Sequence, residues 1–211
     1  MTYWKFLRSG RVSPFSGFAW EPGTWYTAGA AQWCEAGFHA CRAADLPYWL
    51  NDELWQVELS EPVLAAPHKV VAARARVLRQ VGHWTPGTAR ELALECARRS
   101  AVHAVAELAE AGLGAGAEAL RAAAQGPEPQ LWAQVAHENA IEARARGARQ
   151  AALLCDYVGD AVLYMADFPA ATIAYIAARA ASQRSSADTG DPYTAERKWQ
   201  ADWLVRTLGL S

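Results

Sequence analysis

Apolar and polar residues alternate with a period of two over Leu54-Trp55-Gln56-Val57-Glu58-Leu59. That is the spacing of a strand buried on one face. Tyr3 to Arg8 is aromatic enough for a first strand, and Ser9-Gly10 supplies a turn behind it. Pro14, Gly17, Pro22 and Gly23 then leave room only for short strands near Phe18 to Trp20 and Thr24 to Ala28. A last strand is predicted from Lys69 through Leu78. Asp45, with Leu46 and Pro47 behind it, suits the start of one short helix.

The period changes at Thr85-Pro86-Gly87-Thr88. Thr88 and Glu91 form a capping box, and Leu94, Ala97, Ala101, Val105 and Leu108 follow at spacings of three and four, so a helix is expected from Thr88 until Gly112 closes it. Further helices are predicted over 117–124, 130–146 with Leu131, Val135 and Ile141 inward, 148–166, and 170–183. Asp191-Pro192 opens the last, which aligns Trp199 with Trp203. Arg184 to Asp191 lacks apolar anchors and reads as a loop. The pattern predicts an α+β protein, with a small β-rich N-terminal module (1–84) packed on an alanine-rich C-terminal helical bundle (85–211).

Composition narrows the function classes. A chain of 211 residues, 52% apolar and 20% charged, has the make-up of a folded protein. A formal charge of −2 has the wrong sign for affinity that comes from neutralising phosphates. Only Arg74, Arg76 and Arg79, then Arg144, Arg146 and Arg149, form basic clusters, and both read as solvated faces. No run reaches the roughly 20 apolar residues that span a bilayer, and the start lacks a signal-peptide core, so a cytoplasmic protein with reduced cysteines is expected. The ten tryptophans are expected to fill space between small alanines rather than to form a stacking platform.

The candidate chemistry centres on Trp33 to Arg42. Cys34, His39 and Cys41 are zinc-ligand types, but Cys-x4-His-x-Cys is not a paired knuckle; the alternatives are a metal site, a reactive thiol, or buried residues, and burial is favoured. His137-Glu138 lacks the second histidine of a zinc helix, and Glu142 with Arg146 reads as a surface pair. Asp156, Asp160 and Asp167 sit among Tyr157 and Tyr164; Asp156 and Asp160, one turn apart, suit a divalent ion, a shared proton, or a polar seam facing arginines such as Arg144 or Arg149, the seam favoured. Neither a nucleophile elbow, a phosphate loop nor a dinucleotide glycine fingerprint is present.

Three resemblances follow from these residues. Pro14-Phe15-Ser16-Gly17, the Gly-Phe-His-Ala-Cys core and the Leu54–Leu59 strand resemble an uncharacterised domain of actinobacterial and phage proteins, over about residues 3 to 80. Leu94-Glu95-Cys96-Ala97, the alanine-rich helices and the Glu-Arg-x-Trp-Gln ending at Glu196 to Gln200 resemble the helical immunity proteins of polymorphic toxin systems. That resemblance implies binding and blocking of a protein partner. Gly37-Phe38-His39-Ala40, Tyr48-Trp49 and Trp55 to Leu59 are similar in order to the nicotinamide-binding core of ADP-ribosyltransferases, with Lys5 and Arg8 in the first strand instead of a His-Gly pair and Glu58 as the available acid.

The expectation is therefore a non-catalytic, immunity-like protein-binding protein without cofactor, meeting its partner through His39, Tyr48, Trp49, Trp199 and Trp203. The alternative is an ADP-ribosyltransferase-like, NAD-binding enzyme with a cleft near Phe38, His39 and Tyr48. Membrane and nucleic-acid partners are not expected, and the one candidate metal set is Cys34, His39 and Cys41.

Overall fold

A computed structural model describes residues 2–32, 36–165, 169–184 and 190–210. It is α+β: antiparallel strands fill the N-terminal part and helices the rest. The chain divides into two compact units, Met1–Ala89 with Ala201–Ser211, and Arg90–Gln200.

The first unit carries two small antiparallel sheets. Strands β1 (Tyr3–Leu7), β2 (Tyr26–Thr27), β4 (Glu53–Leu59) and β7 (Arg74–Gln80) form one, in the order β1-β4-β7-β2. Strands β3 (Phe38–Ala40), β5 (Leu64–Ala66) and β6 (Lys69–Ala72) form the other, in the order β3-β6-β5. Period-two alternation turns Leu7, Trp55, Val57, Ala75 and Val77 to one side, where they share a core with Ala40 and Val70 of the second sheet and with Trp20. The sheets are stitched where Trp4 N donates to Cys41 O (2.9 Å) and Cys41 N to Trp4 O (2.8 Å). Gly37 makes the entry to β3 possible: at φ 101° it adopts a backbone that favours glycine, and a Cβ there would lie 2.8 Å from Val71 Cγ2.

Several local expectations are corrected. The strand predicted over Lys69–Leu78 is two strands, β6 and β7, which break at Ala73 and belong to different sheets. Residues 18–20 form no strand and make one bridge, Val12 to Ala19. The short helix is a 3-10 turn over Ala43–Tyr48 with Asp45 inside it, so Asp45 is not its cap.

The second unit is built from α1 (Pro86–Glu110), α2 (Gly114–Gln125), α3 (Pro129–Ala145), α4 (Arg149–Tyr164), α5 (Ala170–Ser182) and α6 (Pro192–Leu208), with the first residues of α1 and the last of α6 counted in the first unit. Helix α1 starts at Pro86, two residues before the predicted Thr88, because Thr85 Oγ1 accepts from Thr88 N at 3.1 Å and Pro86 occupies the first helical position. Gly112, at φ 74°, lets Leu113 N turn back to Leu108 O (2.8 Å) and ends the helix as expected. Alanines and a few large side chains make the core: Ala104, Leu108, Leu120, Ala136, Ala140, Leu154 and Cys155 are sealed from solvent. Leu131 and Ile141, expected inward, are 45% and 55% exposed; α3 buries Trp132, Ala136, Ala140 and Ala143 instead. Among the described residues no helix is long and apolar enough to cross a membrane.

Candidate ligand cleft

A recess of about 180 Å³ in the first unit is lined by Lys5, His39, Tyr48, Trp49 and Lys69, among others. It adjoins a broader groove of about 750 Å³ lined by Lys5, Phe15, Trp20, Phe38, His39 and Lys69. The groove falls within the size range of small-molecule sites, about 300 to 1,000 Å³.

The walls are aromatic for a structural reason. Phe18, Trp20, Tyr26 and Phe38 interlock edge-to-face, and Trp20 Nε1 donates to the buried Ser13 Oγ (2.8 Å), which fixes the indole. The opposite wall, Tyr48 and Trp49, is held by the β5–β6 turn. His68 sits there at φ 60°, stacks on Tyr48 with ring centres 3.7 Å apart, and offers its carbonyl to Trp49 Nε1 (2.5 Å). Arg42 and His68 both reach Asp45, at 2.7 and 3.4 Å, and Arg42 Nη2 donates to Ala66 O (3.1 Å). Phe15 stands at the mouth, 89% exposed, edge-on to Trp49.

Lys5 is the unexpected group. Alternation along β1 puts it on the same side as Tyr3 and Leu7, where a strand in this position would carry an apolar residue. Its ammonium donates to His39 O (2.6 Å) and lies 5.7 Å from the centre of the Trp20 ring. Among the described residues no carboxylate lies within ion-pair distance of it, and no Asp or Glu among them lines either part of the cleft. Lys5 keeps some solvent contact, yet burial pushes it down from 10.5 to about 8, against a smaller opposing effect of the Cys41 thiol. Burial, then the charges of Lys5 and Lys69, push His39 below its usual value, so its ring is neutral at pH 7. His39 Nε2 is buried without a hydrogen-bond partner.

The thiols are different. Burial pushes Cys41 and Cys155 each up to about 12 and Cys96 higher still, so these three remain protonated and unreactive. Among the described residues no three His, Cys, Asp or Glu side chains converge as metal ligands. Cys34, needed for the metal set with His39 and Cys41, lies outside the described residues, as do Trp33, Asp167 and most of the 184–191 loop.

In the second unit the Glu-Arg-x-Trp-Gln ending is turned largely inward: Glu196, Arg197 and Gln200 are buried. Arg99 grips Glu196 with a two-pronged hydrogen bond (2.6 to 2.8 Å), and Gln200 Nε2 donates to Ala174 O (2.9 Å). Arg99 also covers Trp199, 4.2 Å from its ring centre, leaving Trp199 and Trp203 half-buried. Burial alone would raise Glu196, but Arg99 and His103 reverse this and hold it below the usual carboxylate range. His103 Nε2 is 3.8 Å away, beyond hydrogen-bond reach, so Arg99 is the stronger cause. The basic clusters have intramolecular partners: Arg76 pairs with Glu58, Arg74 and Arg76 flank Trp25, Arg144 meets Asp156, and Arg146 meets Glu142.

Of the residues singled out in the sequence, His39, Tyr48 and Trp49 come together in the cleft. Lys5, Phe15 and Lys69 were missed as site residues, although a lysine at an inward strand position was a readable signal for the first. No family model, curated protein or solved structure matches the chain.

Proposed function

We propose that this protein binds a small, planar, anionic ligand in the cleft of its β-rich unit. The observation that carries the reading is Lys5, a cation facing an aromatic cleft with no carboxylate partner among the described residues, beside Lys69 and the unpartnered His39 Nε2. Holding a partly desolvated charge without a counter-charge costs stability, and an anionic ligand offsets that cost. Flat aromatic walls favour a ring, which also gains from the nearby cations.

The competing structural role for such a lysine is to guard a strand edge against stray pairing. Here β1 has little edge to guard, since β4 pairs one side and Cys41 bridges Trp4 on the other. The NAD-binding alternative shares this cleft, but among the described residues its lining provides no acid to assist glycosidic cleavage, so the reading is binding rather than transfer.

Thermal unfolding with millimolar NAD, AMP or pyridoxine 5′-phosphate tests it. A ligand a hundredfold above its Kd adds about 2.7 kcal/mol of stability. At least one of the three should raise Tm for the wild type and not for a Lys5→Met, Lys69→Met double variant. No shift with any of them would remove the reading.

Phe15 motivates a second reading, an immunity-like protein contact, because a phenyl ring 89% exposed gains most from a partner that covers it. Co-purification from the native host should then return a stoichiometric protein that Phe15→Ser releases. Recovery of the chain alone would count against it.

A further inference from the structure

The twenty basic side chains include only three lysines, Lys5, Lys69 and Lys198. Two of those three line the cleft. Arginine keeps its proton at any physiological pH, whereas lysine can release one and become a nucleophile. A site that needed only positive charge had arginine, the side chain this protein uses almost everywhere else.

We propose that Lys5 is a reactive amine that forms a reversible imine with an aldehyde group on a planar, anionic ligand held in the cleft. The inference rests on the binding role proposed above and names the chemistry of the same site. The carbonyl of His39, 2.6 Å from Nζ, holds the nitrogen by one N–H in either protonation state and leaves its other positions to the ligand. Burial of Lys5 in the aromatic cleft favours the neutral amine over the weaker pull of the Trp20 face on the ammonium, and Lys69 provides a cation for the ligand's anionic group. With its proton lost near pH 8, Lys5 has on the order of a hundredfold more neutral amine at pH 7 than an ordinary lysine. The other titratable groups at the cleft are His39, Cys41, Tyr48 and Lys69.

The step balances without an oxidant. The Nζ lone pair attacks the aldehyde carbon as the C=O π pair moves to oxygen, which takes a proton from water. The nitrogen gives up one proton to water. The hydroxyl takes a proton from water and leaves as water as the nitrogen lone pair forms C=N, and the nitrogen then gives up its second proton to water. One amine and one aldehyde give one imine and one water.

Pyridoxal 5′-phosphate, an aromatic aldehyde with a phosphate, is the probe, with pyridoxine 5′-phosphate as the analogue that cannot form an imine. The full chain is mixed with one equivalent of the aldehyde near neutral pH, reduced with borohydride, digested and mapped by mass spectrometry. Lys5 should carry the adduct at least about tenfold above Lys69 and Lys198. Lys5→Arg should lose both adduct and imine absorbance while still binding pyridoxine 5′-phosphate, and Lys69→Arg should keep the Lys5 adduct; circular dichroism checks that both variants fold. Pyridoxine 5′-phosphate binding with label spread evenly over the lysines would overturn the imine and leave the binding role standing. Lys5 labelling without pyridoxine 5′-phosphate binding would support the imine and remove the anion role. Neither would overturn both.

Discussion

Glu196 in the helical unit and Lys5 in the β-rich unit are charged side chains at inward positions, and the two are treated in opposite ways. Glu196 in the helical unit is 2% exposed, gripped by both prongs of Arg99, with His103 alongside. Lys5 in the β-rich unit has a carbonyl, aromatic rings and, among the described residues, no acid. A buried charge satisfied from within is structural, because its partner is already present. A charge left open toward a cleft costs stability that only a ligand recovers, which is the usual signature of a functional position.

The largest effect should come from breaking the satisfied charge. Glu196→Ala leaves Arg99 without its acid and should cost about 3 to 5 kcal/mol, read from the urea midpoint. The wild-type contribution has a definite pH sense. A carboxyl depressed in the folded state stabilises above its ordinary value of 4.5 and loses that contribution as pH falls through the folded value, so Glu196→Gln should flatten the acid limb of stability against pH.

Asp45 is the paired charge of the β-rich unit and sits between the extremes. Asp45→Ala removes the anchor of Arg42 and His68 and should cost about 2 kcal/mol, while loosening the Tyr48 and Trp49 wall and weakening ligand binding.

Lys5→Met should act in the opposite direction, raising stability by about 1 to 2 kcal/mol at pH 7 while abolishing binding. The sign follows from the depressed amine. Below about 8 the wild type carries the full penalty; from there to 10.5 the unfolded chain holds more protons than the folded one, so wild-type stability rises with pH and the variant's advantage fades. The smallest effect should come from the surface: Arg144→Ala, parting Arg144 from Asp156, should change stability by less than about 1 kcal/mol.

The sequence showed the sheets best where alternation was unbroken. The strands expected at Tyr3–Arg8 and Leu54–Leu59 are present as β1 and β4: β1 is marked by its run of large aromatic residues, and in β4 the inward Trp55 and Val57 alternate with polar Gln56 and Glu58. Alternation ran unmarked through Ala73, where neither glycine nor proline announces the change of sheet, so β6 and β7 read as one strand. Strand β5, three residues between Val63 and Pro67, was too short to show a period. In α3 the largest aliphatic residues pointed the wrong way: when alanine packs the inward face, size no longer marks it, and Leu131 and Ile141 are left outside. For the site, His39, Tyr48 and Trp49 were legible as unusual residues close in sequence. Lys69 and Phe15 join them only through the pairing of β3 with β6 and the fold of the 10–20 loop, which no local pattern records. The Glu-Arg-x-Trp-Gln ending stood out for its resemblance to helical immunity proteins, and in the fold Glu196 and Gln200 serve to satisfy polar groups inside the helical unit.

With only three lysines in the chain, ¹⁵N spectra of the side-chain amines resolve Lys5 from the others, and Lys5→Arg assigns its signal. On titration Lys5 should lose its proton near 8, and added pyridoxine 5′-phosphate should move that midpoint upward as the anion supplies the missing counter-charge. A Lys5 signal that titrates near 10.5 and ignores the ligand would contradict the account.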